Sequence, residues 1–185
     1  MNQRNRSQFR VALIFLACFA ISCGEMNRAN KLIEESNKAV KEAEKHIEEA
    51  DSKLKELDNG LADFPANRTQ LEAIAKDAIR LLDAASVKLR EAAANYEAAS
   101  QAKIDEKLKE YLSLKSQEFK KHVEHLEAAK EIGRSVIDGS INDASALNSR
   151  REEINDRIEM LKKEWEDLAA RAKKIREDNK DKFES

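Results

Sequence analysis

The chain has 185 residues, of which 38% are charged, 5% aromatic, four glycine and one proline. Ala, Glu, Lys and Leu in such proportions, with few residues that break a helix, belong to long helices and coiled coils. Thirty-four basic against 36 acidic residues exclude the cationic surface that nucleic-acid binding needs, and no aromatic-basic interleaving offers a platform for bases.

Arg4, Arg6 and Arg10 precede an uncharged run from Val11 to Ile21, which ends in Ser22, Cys23 and Gly24. Cations, a short apolar stretch and small residues are the layout of a secretory signal peptide. The run spans roughly 11 to 12 residues, short of the roughly 20 that a spanning helix requires. Ala20-Ile21-Ser22-Cys23-Gly24 resembles the lipobox of bacterial lipoproteins, departing from it at Ala20, where that class more often has Leu. Cys18 fits less well, because bulky Phe19 follows it.

The resemblance covers the first 24 residues only. It implies cleavage before Cys23, a thioether-linked diacylglycerol on that residue and acylation of the new N-terminus. It further implies export to the cell envelope and anchorage through the acyl chains. The absence of Asp after the Cys favours an outer-membrane position facing the periplasm in a Gram-negative host. Residues 1–22 would then be a cleaved leader, 23–25 a lipidated Cys with a short tether, and 26–185 one helical domain. Removal of 1–22 takes three cations and no acids, leaving 31 basic against 36 acidic residues, a net charge of −5.

In the first predicted helix, from about Met26 to Leu57, Ile33, Ser36, Val40, Ala43, Ile47, Ala50, Leu54, Leu57 and Leu61 alternate steps of three and four. This is a heptad seam, narrow enough at its alanines for close approach of a partner helix. Asp58-Asn59-Gly60 should end the helix with a residue tolerant of positive φ, and Pro65 prevents continuation. The second helix should start near Ala66 or Asn67, with Asn67 or Thr69 as its N-cap, and carries columns at Leu71, Ala78, Ala85, Ala92, Ala99 and at Ala75, Leu82, Leu89, Tyr96.

Beyond Ala99 the phase fails. The same columns would bury Lys103, Glu106 and Glu110, whereas the apolar residues are Ile104, Leu108, Tyr111, Leu112, Phe119, Val123, Leu126, Ile132 and Val136. A stripe that swings by half a turn cannot face one core along a straight helix. A reversal at 100–104, capped by Ser100 or Asp105, resolves the conflict; one unbroken helix over about 66–138 is the alternative. Asp138-Gly139-Ser140 terminates the third helix. The last helix carries Leu147, Ile154, Leu161, Leu168 and Ile175 in one column and Arg151, Ile158, Trp165, Ala172 and Asn179 in the other. The charged tail from Glu177 onward is expected to fray. The fold class is therefore all-α, an elongated antiparallel bundle of four long helices, or of three if the middle one is continuous.

Chemistry-bearing motifs are sparse. His122 and His125 share a helix face with Glu118 one turn earlier, the weak candidates for a metal site; His46 stands alone. The Glu-x-x-His pattern of di-iron bundles is absent, as are Gly-x-Ser-x-Gly and a Gly-rich phosphate loop, and no cofactor is implied. Asn67-Arg68-Thr69 matches a glycosylation sequon but reads as helix capping. Tyr96, Tyr111, Phe119 and Trp165 at helical spacing fit a core better than a pocket. Arg150-Arg151, Lys162-Lys163 and Lys173-Lys174 alternate with acids and fit a solvated face. The expectation is a non-enzymatic envelope protein, held to the membrane at Cys23, that presents charged surfaces to a protein or cell-wall partner. A bundle binding a lipid or other apolar ligand is the second reading and a His-dependent metal protein the third.

Overall fold

The computed structural model describes the backbone of residues 3–139 and 143–183, and side chains from Gly24 onward within those spans except that of Ala144. The chain forms α1 (Gln3–Gly60), a 3-10 turn (Leu61–Asp63), α2 (Arg68–Ser100), α3 (Glu106–Ile137), α4 (Ala144–Asp178) and a one-turn α5 (Lys180–Phe183). Four long helices pack as an all-α bundle. No helix among the described residues is long and apolar enough to cross a membrane.

The apolar columns become the core. Every predicted seam position of α1 is buried or half-buried, and both columns of α2 are buried throughout. α1 meets α2 through small residues, with Ala29, Ala43, Ala50, Ala85, Ala92 and Ala99 all at 0% exposure. Ser36 Oγ lies 2.8 Å from the carbonyl of Leu32 and 3.3 Å from that of Ala92, so an α1 side chain reaches the α2 backbone directly. Glu42 pairs with Lys88 at 2.7 Å and Asn37 with Tyr96 at 2.8 Å; residue numbers fall on one helix as they rise on the other, and the pair is antiparallel. There is no room for more volume here. Ala43→Leu should cost about 1–3 kcal/mol by overpacking, read as a lower urea midpoint, whereas Glu44→Leu on the exposed face should stay within about 0.5 kcal/mol.

The reversal between α2 and α3 occupies Gln101 to Asp105, where the phase of the apolar stripe slips. Ser100 Oγ donates to the carbonyl of Glu97 at 2.7 Å, and the Asp105 carboxylate accepts from the Lys107 amide at 2.7 Å. Neither Gly nor Pro is needed: Ser100 turns its own helix end and Asp105 caps the next. α3 then returns along α2, with Glu97–Lys120 at 2.6 Å and Arg90–Glu127 at 2.9 Å along their flank. At Gly133 the two helices are close. A Cβ there would stand 3.2 Å from Ile79 Cδ1 and 3.4 Å from Ala75 Cβ.

Two local expectations are corrected, at Gly60 and at Asn67. Gly60 has φ −78° and is itself helical; the chain leaves α1 through the 3-10 turn and the cis Phe64–Pro65 peptide. Asn67 precedes α2 without capping it by its side chain, and its Nδ2 donates back to the Gly60 carbonyl at 2.8 Å, tying α2 to the end of α1. Gly139 is the glycine with positive φ, 71°, where α3 ends. Asp143 caps α4 by accepting from the Ala146 amide at 2.9 Å.

The ring of four is not evenly closed. Close backbone packing joins α1 to α2, α2 to α3 and α3 to α4, while α1 and α4 have no comparable approach. They meet through side chains, such as Arg151 to Asp58 at 3.0 Å and Ile158 against the main core. Correspondingly, only Leu147, Ile154, Leu161 and Ala172 of α4 are fully buried; Ile158, Trp165, Leu168 and Ile175 are half-covered. The tail does not fray at Glu177: Asn179 Nδ2 donates to the Ile175 carbonyl at 2.9 Å, and α5 folds back so that Lys182 reaches Asp105 at 3.0 Å.

Candidate functional site

Cys23, the expected lipidation site, lies outside the residues whose side chains are described. Its surroundings are informative from Gly24 onward. Helix α1 runs through this position without interruption, and Ala29, six residues on, is fully buried in the core.

The two histidines proposed as metal candidates sit at the contact of α3 with α4. Packing of heptad seams carries Trp165 onto the face that bears them. The His122 ring stacks on Trp165 with centroids 4.7 Å apart and 6° between planes; His125 meets the same indole at 6.5 Å and 62°. The two imidazoles are 5.8 Å apart. Burial, reinforced by the charge of His125 when it is protonated, holds His122 down to about 4. His125 is also lowered, first by burial, with Lys162 acting in the same direction and Asp51, Glu159 and Glu166 opposing it. His125 Nδ1 and Trp165 Nε1 are buried without a hydrogen-bond partner.

A metal needs further ligands here. Glu118, the nearest carboxylate along the helix face, gives both its oxygens to Lys115, at 2.8 and 2.7 Å, and is itself buried. Among the described residues no three His, Cys, Asp or Glu side chains are grouped to hold a metal ion. The pair forms an aromatic clasp between two helices, with both rings favoured in the neutral state by burial. His46 lies apart on α1, beside Glu42.

The four aromatic residues separate into different settings. Phe119 stacks on Tyr96 at 5.7 Å inside the core, as periodicity suggested. Tyr111 instead meets Phe183 edge-on at 5.1 Å. Together with Tyr96 these two rings line a cleft of about 300 Å³ at the end of the bundle nearest Gly24. The sequence carries no sign of Phe183, because a single aromatic in a charged tail produces no periodic signal. Of the basic pairs, Arg150 is held by Glu153 at 2.6 Å and Glu131 at 3.3 Å, Arg151 by Asp58, and Lys173 approaches Glu177 at 3.8 Å.

Comparison of the chain with protein-family models, with curated proteins and with solved structures finds no significant match.

Proposed function

We propose that the protein is a lipid-anchored component of a bacterial cell envelope, whose non-catalytic helical bundle is held at the membrane surface and presents elongated charged flanks to a protein or cell-wall partner. The observation that carries this reading is the leader ending in Ser22-Cys23-Gly24, with the helical core beginning directly after it. Two or three acyl chains, at about 0.8 kcal/mol per buried methylene, hold a chain on a bilayer for long periods. From Cys23 to Ala29 a helix advances only about 9 Å. An anchor at Cys23 therefore places the packed end of the bundle against the headgroups rather than on a long stalk.

Mass spectrometry of the N-terminal peptide from native membranes tests the reading. The expected product starts at Cys23 and carries acyl groups, and Cys23→Ser should shift the chain from the membrane pellet to the supernatant. A native chain with a free Cys23 thiol, or with residues 1–22 retained, would falsify the anchor.

A further inference from the structure

The cleft nearest the start of the bundle is built from both apolar and cationic parts. Its walls are Ile33 of α1, Tyr96 of α2, Leu108 and Tyr111 of α3, and Phe183 of α5; Arg176 of α4 and Lys182 stand at its rim. The two cations differ in their partners. Lys182 is matched by Asp105, while Arg176 makes no ion pair among the described residues. Glu118, the buried carboxylate close to both tyrosines, is already matched by Lys115. Asn37, also on the lining, uses its Oδ1 to accept from the Tyr96 hydroxyl. The cleft thus combines apolar walls, a guanidinium with no ion pair among the described residues, and a side-chain amide.

We propose that this cleft binds a small anionic amphiphile, its carboxylate or phosphate on Arg176 and its apolar part against Ile33, Leu108, Tyr111 and Phe183. Arginine presents a fork of donors that suits planar or tetrahedral oxyanions, and the same charge disfavours cationic ligands. At about 300 Å³ the cleft stands at the small end of ligand sites, which suits a medium-chain carboxylate. Ligand and headgroup share this chemistry, so the anion has two sources: a free amphiphile, or the head of an anionic lipid in the adjoining membrane. Every group of the cleft lies at or beyond Met26, and the proposal does not depend on the state of Cys23.

Equilibrium dialysis of octanoate against the full chain in phosphatidylcholine vesicles, with empty vesicles as blank, tests it. Saturable binding of one octanoate per chain is expected. Arg176→Glu should weaken it about tenfold or more, the cost of losing a charge-assisted contact, and Ile33→Trp, which fills the cleft, should abolish it. Octylamine should not compete. Arg176 is exposed and Ile33 half-buried in the α1 seam, so unchanged circular dichroism and melting of both variants separate loss of the site from loss of the fold. Competition on replacing part of the phosphatidylcholine by phosphatidylglycerol identifies the membrane as the source; undiminished octanoate binding identifies a free ligand. No binding above the blank, or binding that survives both substitutions, overturns the proposal.

Discussion

Leu112→Ala should lower the stability of the bundle by about 2–5 kcal/mol, the range for deleting three buried carbons and leaving a void. Leu112 is 0% exposed near the start of α3 and belongs to the main cluster shared by α1, α2 and α3. Interiors are close-packed and relax only in part, so the neighbouring Leu and Ala side chains do not refill the space. For a domain of this length the change corresponds to roughly 4–20 °C in Tm. Met160→Ala provides the contrast. Its side chain, on α4, is 54% exposed, and the expected change is within about 0.5 kcal/mol. Thermal melts of the two variants side by side decide the matter; equal losses would mean that Leu112 is not in a solid core.

Acid should loosen the clasp between α3 and α4. His122 titrates near 6.5 in an unfolded chain and about 4 in the folded one. A base whose folded value is depressed contributes stability that is fully present above the unfolded value and is lost as pH falls toward the folded value. The window therefore runs from about pH 6.5 down to about pH 4, and at about 1.4 kcal/mol per pH unit the loss is at most about 3.5 kcal/mol. His125, lowered for the same reason, adds in the same direction, while Asp51 on α1 and Glu159 and Glu166 on α4 oppose its share. Glu118 works in the opposite sense, since burial, offset by Lys115, holds its carboxyl above the ordinary range. His122→Phe isolates the imidazole, keeping a ring against Trp165 without a titrating group. Urea melts of both forms at pH 7.5, 6, 5 and 4 should show a shallower fall in the variant, and identical slopes would remove His122 from the account.

What sequence could reveal follows from the range over which each signal acts. Burial along a helix repeats with the helix itself, so the α1 seam from Ile33 to Leu61 and both α2 columns were legible residue by residue. The reversal at Gln101–Asp105 was legible without a breaker because Lys103, Glu106 and Glu110 cannot enter a core while Ile104, Leu108 and Leu112 stay outside. How helix faces pair across the bundle was not legible. The column Arg151–Ile158–Trp165 looks like any other heptad column, and only three-dimensional packing decides that it is half-covered. Isolated residues escaped for a related reason. Phe183 carries no period, and Arg176 is one cation among many until its neighbours are known to be paired elsewhere. Asn67 was recognised as a helix-start residue, but its amide serves the end of α1 rather than the start of α2.

The serial packing of α1 on α2, α2 on α3 and α3 on α4 also shapes how the chain reaches its fold. Each close helix contact joins neighbours in sequence, so the mean separation along the chain between touching residues is small and little loop-closure entropy opposes any single docking step. Chains of such low contact order fold on the microsecond to millisecond scale. Each helix finds its partner for close packing in the helix just before it along the chain. The last helix to dock is α4, which has a partner for close packing on one side only.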